Sequence, residues 1–247
     1  MTTAANELRT YLKSADETTQ ELLEKSGPLV DCLSELTDFL AQDGWARLPK
    51  NRPIPVLLAM NSYMLFLAGV RVALSGHSSA IFSVQRTALE SACYAHLAWN
   101  NQDLEAIWQD RDQSADHLKL CRQKFGSAVK DVAKTLNAEH DGSADFVYEA
   151  YEQSISFGGH PNPRAVFLNA RVNDQDNQTE VTFIGLHSAD AHEVLRGLVA
   201  CLDFGSAIAH VVRRCETPLS EETIEALNRL EESKRRAIEA ATPVLQT

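Results

Sequence analysis

SISFGGHPNPRAVFLNARV (154–172) is the stretch on which the fold turns. Up to Phe157 the apolar residues recur at helical spacing, and from Ala165 onward the period changes to 2. Between the two regimes sit Gly158 and Gly159, then His160 held between Pro161, Asn162 and Pro163. The glycines permit backbone angles closed to other residues, while the prolines fix φ and push His160 and Asn162 toward extended conformations. The segment therefore has a defined shape, and His160 is its aimed side chain.

Downstream, AVFLNARV (165–172) and TEVTFIGL (179–186) flank NDQDNQ, a polar connection of the kind that closes a β-hairpin. A lone two-stranded hairpin is only marginally stable, so this one is expected to lie against helices. The rest of the chain reads as helix. Leu8, Leu12, Ala15, Thr19 and Leu22 stripe a first helix over 4–25, which Gly27–Pro28 ends. A second helix to about residue 42 carries Leu29, Leu33, Leu36 and Leu40, and the short spacer predicts an antiparallel N-terminal hairpin over 1–42. Helices follow over 54–75 and 79–99, then a long helical stretch over 103–137 and another from 141 to about 157. Helix 188–215 comes after the β-hairpin, and Ser220 caps a charged helix over about 219–242. The expectation is one all-α domain, a bundle of seven or eight helices with a β-hairpin inserted near 165–186 and a core spanning 54–215.

Composition excludes several classes. A net charge of −11 opposes broad nucleic-acid binding, which needs a positive field to neutralise phosphates. WARLPKNRP (45–53) gathers Arg47, Lys50 and Arg52 beside an aromatic, and three cations in a proline-bounded loop are expected to be solvated. The five cysteines are scattered without a C-x-x-C pair, mostly on apolar helix faces, which points to a reducing, cytoplasmic setting. The first forty residues are too polar for a signal peptide. The apolar run IPVLLAMNSYMLFLAGV (54–70) contains Pro55, Asn61 and Ser62 and falls short of a spanning length, so a central bundle helix is preferred over a membrane helix.

One polar constellation stands out. Arg86 and Glu90 lie four apart on helix 79–99, with Cys93 and Leu97 continuing their row beside the apolar row Ile81, Val84, Ala88 and Ala92. Arginine before glutamate is the weaker helix-stabilising order, so a partly buried pair with a third polar partner is expected, and the histidine loop is the natural donor of it. No metal set accompanies His160, since there is no H-E-x-x-H and His187 and His192 are five apart. Nucleophile-elbow, phosphate-loop and dinucleotide motifs are absent, and no cofactor or metal is expected.

Two resemblances bear on function. RDQSADH (111–117) resembles the arginine–histidine motif of the HEPN superfamily, helical domains that in many members dimerise and cut RNA; RVALSGH (71–77) is a second instance of the spacing. That resemblance implies metal-independent cleavage of phosphodiester bonds by Arg111 and His117. QRTALESA (85–92) and YEQSISFGGHPNPR (151–164), followed by a hairpin and a last long helix, resemble a family of bacterial helical domains of unknown function with an R-x-x-x-E helix and a later S…H-P turn. It implies a fold and a site at Arg86, Glu90, Tyr151, Ser154 and His160, which Asn162 and Arg164 of the same turn extend. The reading that follows is a non-catalytic binding protein with a latch or ligand pocket at these residues. A homodimer through its amphipathic helices is expected, with HEPN-like cleavage as the alternative.

Overall fold

The computed structural model describes residues 4–45, 48, 51–140, 144–159, 163–167, 169–175, 178–215 and 219–245. The protein is an all-α bundle with one antiparallel β-hairpin. In chain order the elements begin with α1 (Ala4–Lys25), α2 (Pro28–Phe39) and a π-helical turn (Leu40–Gly44). Helices α3 (Pro53–Leu74), α4 (Ala80–Asn100), α5 (Gln102–Gln109), α6 (Ala115–Phe125), α7 (Ala128–His140) and α8 (Asp145–Ser154) follow. A second π-helical turn (Ile155–Gly159) leads to α9 (Pro163–Phe167), β1 (Ala170–Gln175), β2 (Gln178–Phe183), α10 (His192–Arg213) and α11 (Glu221–Leu245).

The expected rod over 103–137 is three helices, α5 to α7, which raises the helix count above the seven or eight anticipated. Capping chemistry makes the breaks. Ser114 is extended (φ −159, ψ 169) and its hydroxyl accepts the His117 amide at 3.3 Å, so α6 starts anew there. Gly126 closes α6, and Ser127 donates to Asp131 at 2.5 Å as α7 begins. The apolar rhythm survives because α6 and α7 turn Cys121, Phe125, Val129, Val132 and Leu136 to the same interior.

Helix α10 is the central strut, flanked by α2, α3, α4, α8 and α11. Gly205 lets it approach closely, since a Cβ there would lie 2.4 Å from Leu36 Cδ2 and 2.7 Å from the Phe66 ring. It packs most extensively on α4 and equally on α2 and α3, and α3 and α4 are also packed on each other. The polar residues of the 54–70 run join these two helices. Asn61 donates to Ser91 at 3.0 Å, Ser91 donates to the Leu58 carbonyl at 2.8 Å, and Ser62 donates to the Ala88 carbonyl at 2.7 Å. By length and composition α3 and α10 are both apolar enough to cross a membrane; α10 is 72% buried over its most apolar window and α3 39%. The outer face of α3 shows Leu57, Met60 and Met64 to solvent. All five cysteines are free and buried, and burial pushes the Cys93 and Cys201 thiols well up.

The N-terminal helices meet at the expected break, but a different residue makes the turn. Ser26 takes the left-handed angle (φ 37), and Gly27 is an ordinary extended N-cap before Pro28. The two helices then find different partners, correcting the expected antiparallel pair: α2 packs on α10 and α11, while α1 lies on α3. Arg71 holds α1 through Asp16 at 2.5 Å and through Thr19, and Tyr11 bonds to His77.

The hairpin departs from expectation in two ways. Residues 163–167 are helical, so the first strand starts at Ala170, and pairing runs from Ala170↔Phe183 to Gln175↔Gln178. Nor does the hairpin lie on the bundle: among the described residues only α9, the helix next to it in the chain, makes more than slight contact with it. Asn169 anchors its base instead. The Asn169 carbonyl accepts from the Ile184 amide at 2.7 Å, and its side chain bonds to Ser78 at 3.2 Å, Ser79 at 2.9 Å and His187 at 3.2 Å. Val172, Val181 and Phe183 remain exposed on one face.

Candidate functional site

Helix α4 turns its apolar row, Ile81, Ala88 and Ala92, wholly inward, which leaves Arg86 and Glu90 at the rim of the bundle. Their side chains are 25% and 29% exposed. Arg86 Nε donates to Glu90 Oε1 at 2.9 Å, and a terminal nitrogen of the same guanidinium donates to the Tyr151 hydroxyl at 3.0 Å. The guanidinium carbon also lies 4.9 Å from the centroid of the Tyr151 ring, within cation–π range. The third partner predicted for the pair thus exists, and α8 supplies it. Two of the five guanidinium N–H groups are committed in this way.

The three residues border a cavity of about 360 Å³. Tyr94, Phe125, Tyr148 and Tyr151 give it aromatic walls, and the α6–α7 junction through Lys130 closes the remaining side. Tyr94 and Phe125 sit with ring centroids 4.6 Å apart, and Tyr148 stacks on Tyr151 at 6.3 Å. Burial, reinforced by the Glu90 carboxylate, pushes the Tyr94 phenol above its ordinary value. For Tyr151 burial again leads; Arg86 pulls down and Glu90 pushes up, with a net rise. Both phenols therefore stay neutral hydrogen-bonding groups at neutral pH. The cavity combines one glutamate with two cations, Arg86 and Lys130, and the first amides of α7 lack helical acceptors at its edge.

Of the residues singled out from the sequence, Arg86, Glu90 and Tyr151 come together. Ser154 does not join them: it is fully buried and donates back to the Tyr151 carbonyl at 2.5 Å, within its own helix end. Arg164 is exposed on α9, with its guanidinium 6.0 Å from the Phe157 ring centroid. His160 and Asn162 lie outside the described residues. The glycine segment before them docks about one turn N-terminal to Arg86 on α4. Ser83 donates to the Gly158 carbonyl at 3.0 Å, and Phe157 stacks on Phe82 at 5.6 Å. Gly158 has no positive φ; its glycine is needed because a Cβ would lie 2.4 Å from the Ser79 carbonyl oxygen and 2.9 Å from Phe82 Cβ. Sequence reading missed Tyr94, Phe125, Tyr148 and Lys130. Tyr94 is one turn beyond Glu90 on the same helix and was findable from that spacing; the others come from helices whose approach is tertiary.

Arg111 and His117 do not share a helix. Arg111 sits in the turn between α5 and α6 beside Asp112, at 3.3 Å, whereas His117 is in the first turn of α6 with its Nδ1 2.8 Å from the Ser114 hydroxyl. Both are exposed, and no hydrogen bond or ion pair joins them among the described residues. Arg52 is not a solvated loop cation. It donates to the Ala98 and Trp99 carbonyls at 2.9 and 3.0 Å and pairs with Glu105 at 2.6 Å, closing the C-terminus of α4. Arg47 and Lys50 lie outside the described residues. Among the described residues, no group of three or more His, Cys, Asp or Glu is placed to hold a metal ion. A larger groove of about 530 Å³ runs between α2 and α11, rimmed by charged surface side chains.

Against known proteins the chain matches no family model, no curated protein and no solved structure. The site is therefore read from its own geometry.

Proposed function

We propose that the chain is a non-catalytic binding protein whose Arg86–Glu90–Tyr151 cavity holds a small, planar organic anion. One observation carries this: a half-buried arginine, fixed by a carboxylate and a phenol, borders an aromatic-walled space of about 360 Å³. A space of that size suits a small ligand, and aromatic walls with a few fixed polar groups are the usual composition of such sites. Stacking on the tyrosines selects a flat ring, and Arg86 with Lys130 outweighs Glu90 and selects negative charge. The same partners argue against catalysis at this place. Glu90 is tied to Arg86, and the raised Tyr151 phenol is a poor base at neutral pH. The likeness to bacterial helical domains of unknown function belongs to this proposal, with Arg86, Glu90 and Tyr151 as its working residues and Ser154 as a structural one. Phosphodiester cleavage by Arg111 and His117 is disfavoured by the turn that separates them.

Thermal-shift and calorimetric titration with benzoate, adenosine monophosphate and inorganic phosphate tests the proposal. A planar anion should raise the melting temperature of the parent chain, and phosphate alone should not. The shift should vanish in Arg86→Gln and Tyr151→Ala, each compared with its own ligand-free state. No shift with any planar anion, or an undiminished shift in Arg86→Gln, overturns the reading. So does RNA cleavage by the parent chain that disappears in His117→Ala.

A further inference from the structure

From the packing of α6 we infer that this helix swings out as a lid over the Arg86 cavity, and that a bound ligand holds it shut. Of its eleven residues only Cys121 and Phe125 are buried. Leu118 is half-buried and the rest are exposed. Among the described residues only α5, the helix before it in the chain, makes more than slight contact with α6. The side-chain hydrogen bond that α6 makes among those residues stays at its own cap, between His117 and Ser114. A helix held by so few buried side chains belongs to the low-stability end of a fold, where local opening precedes global unfolding.

The helices on either side are fixed. Glu105 ties α5 down by pairing with Arg52 at 2.6 Å. Helix α7 packs on both α4 and α8 and buries Val129, Val132, Ala133 and Leu136. The turn 110–114 and Gly126 are therefore the two places where α6 pivots. At the second of these the closed junction has no room for a side chain. A Cβ on Gly126 would lie 2.7 Å from the Arg122 carbonyl oxygen, to which the Gly126 amide donates at 2.9 Å. Closure delivers Phe125, whose ring centroid is 4.6 Å from that of Tyr94 and which forms part of the cavity wall. Arg86, Glu90 and Tyr151 stand on the fixed helices α4 and α8. Cys121 lies one turn before Phe125 on the same buried row, so opening withdraws the ring and uncovers the thiol together. A flat ligand that touches both Phe125 and Tyr151 binds the closed form better and shifts the population toward it. That coupling rests on the cavity being a ligand site, whereas the opening of α6 does not.

Labelling of the free thiols of the full chain with a maleimide, resolved by peptide mass spectrometry, tests the lid. Cys121 should react well ahead of Cys93 and Cys201, which are fully buried and report global unfolding. Gly126→Ala should speed Cys121 and leave Cys93 as it is. Benzoate or adenosine monophosphate, whichever raises the melting temperature, should slow Cys121 about tenfold at about ten times its dissociation constant. Cys121 reacting no faster than Cys93 overturns the proposal. So does a Gly126→Ala chain in which Cys121 is not speeded, or in which Cys93 is speeded equally. A ligand that raises the melting temperature yet leaves the Cys121 rate unchanged overturns the lid and spares the binding reading. Where no planar anion raises the melting temperature, the binding reading fails by itself, and the ligand-free rates still decide whether α6 opens.

Discussion

Replacing Gly158 by alanine places a methyl group 2.4 Å from the carbonyl oxygen of Ser79 and 2.9 Å from Phe82 Cβ. Neither obstacle is the end of a flexible side chain, so the π-helical turn must lift away from α4. Lifting forfeits the Ser83 bond to the Gly158 carbonyl, about 1 kcal/mol. It also opens the Phe82–Phe157 stack, about 1 kcal/mol. The expected loss is therefore about 2 kcal/mol, within the usual range for overpacking. For a chain of this length that is a fall in melting temperature of about 4–8 °C. Circular dichroism melts of Gly158→Ala and Gly185→Ala measure it. Gly185 is the control, because nothing lies within 4 Å of a Cβ there and its φ is not positive. Equal melting of Gly158→Ala and the parent refutes the docking of this turn. An equal fall in both variants refutes the steric account of it.

Two further outcomes follow from titrating groups. His96 is buried between helices, with Asn100 donating to its Nε2 at 3.2 Å, and burial lowers its pKa to about 4. Above the unfolded value of about 6.5 both states are neutral and stability is complete; as pH falls toward 4 only the unfolded chain takes the proton. The parent should lose on the order of 3 kcal/mol across that window, and His96→Gln should lose markedly less in urea midpoints read at pH values spanning it. An equal loss in the variant would falsify the assignment. At the site, Glu90→Gln should lower the phenolate titration of Tyr151 and Arg86→Gln should raise it, read by ultraviolet absorbance. Tyr151 titrating identically in all three proteins would show that the pair does not reach it.

Much of the helical architecture was legible because apolar periodicity and capping residues act locally. Gly27–Pro28, Pro53 and Ser220 mark helix ends as expected, and Ser220 accepts the Thr223 amide at 3.2 Å. The same rules misjudged 103–137, because an apolar stripe continues across a turn whenever successive helices bury the same side. They misjudged 163–167 as well, where five residues favour helix or strand too weakly for spacing to separate them. Half of the site was legible. Arg86 and Glu90 share a helix row, and Tyr151 lay in a motif flagged for other reasons, while the contact expected of His160 falls outside the described residues. Which helix delivers a polar partner depends on interhelical approach, and no local pattern encodes that.

By itself, then, the sequence determined the helices, the presence of a hairpin and the half-buried character of the Arg86–Glu90 pair. Each is a property of neighbours within a few residues, where backbone angles and periodicity act. Tertiary structure alone decided that α1 leaves α2 for α3, that Arg52 closes α4, and that four aromatics enclose the space beside Arg86. It also decided that the hairpin stands clear of the bundle. These are matters of which faces meet, set by packing summed over the whole core rather than by the preference of any one segment.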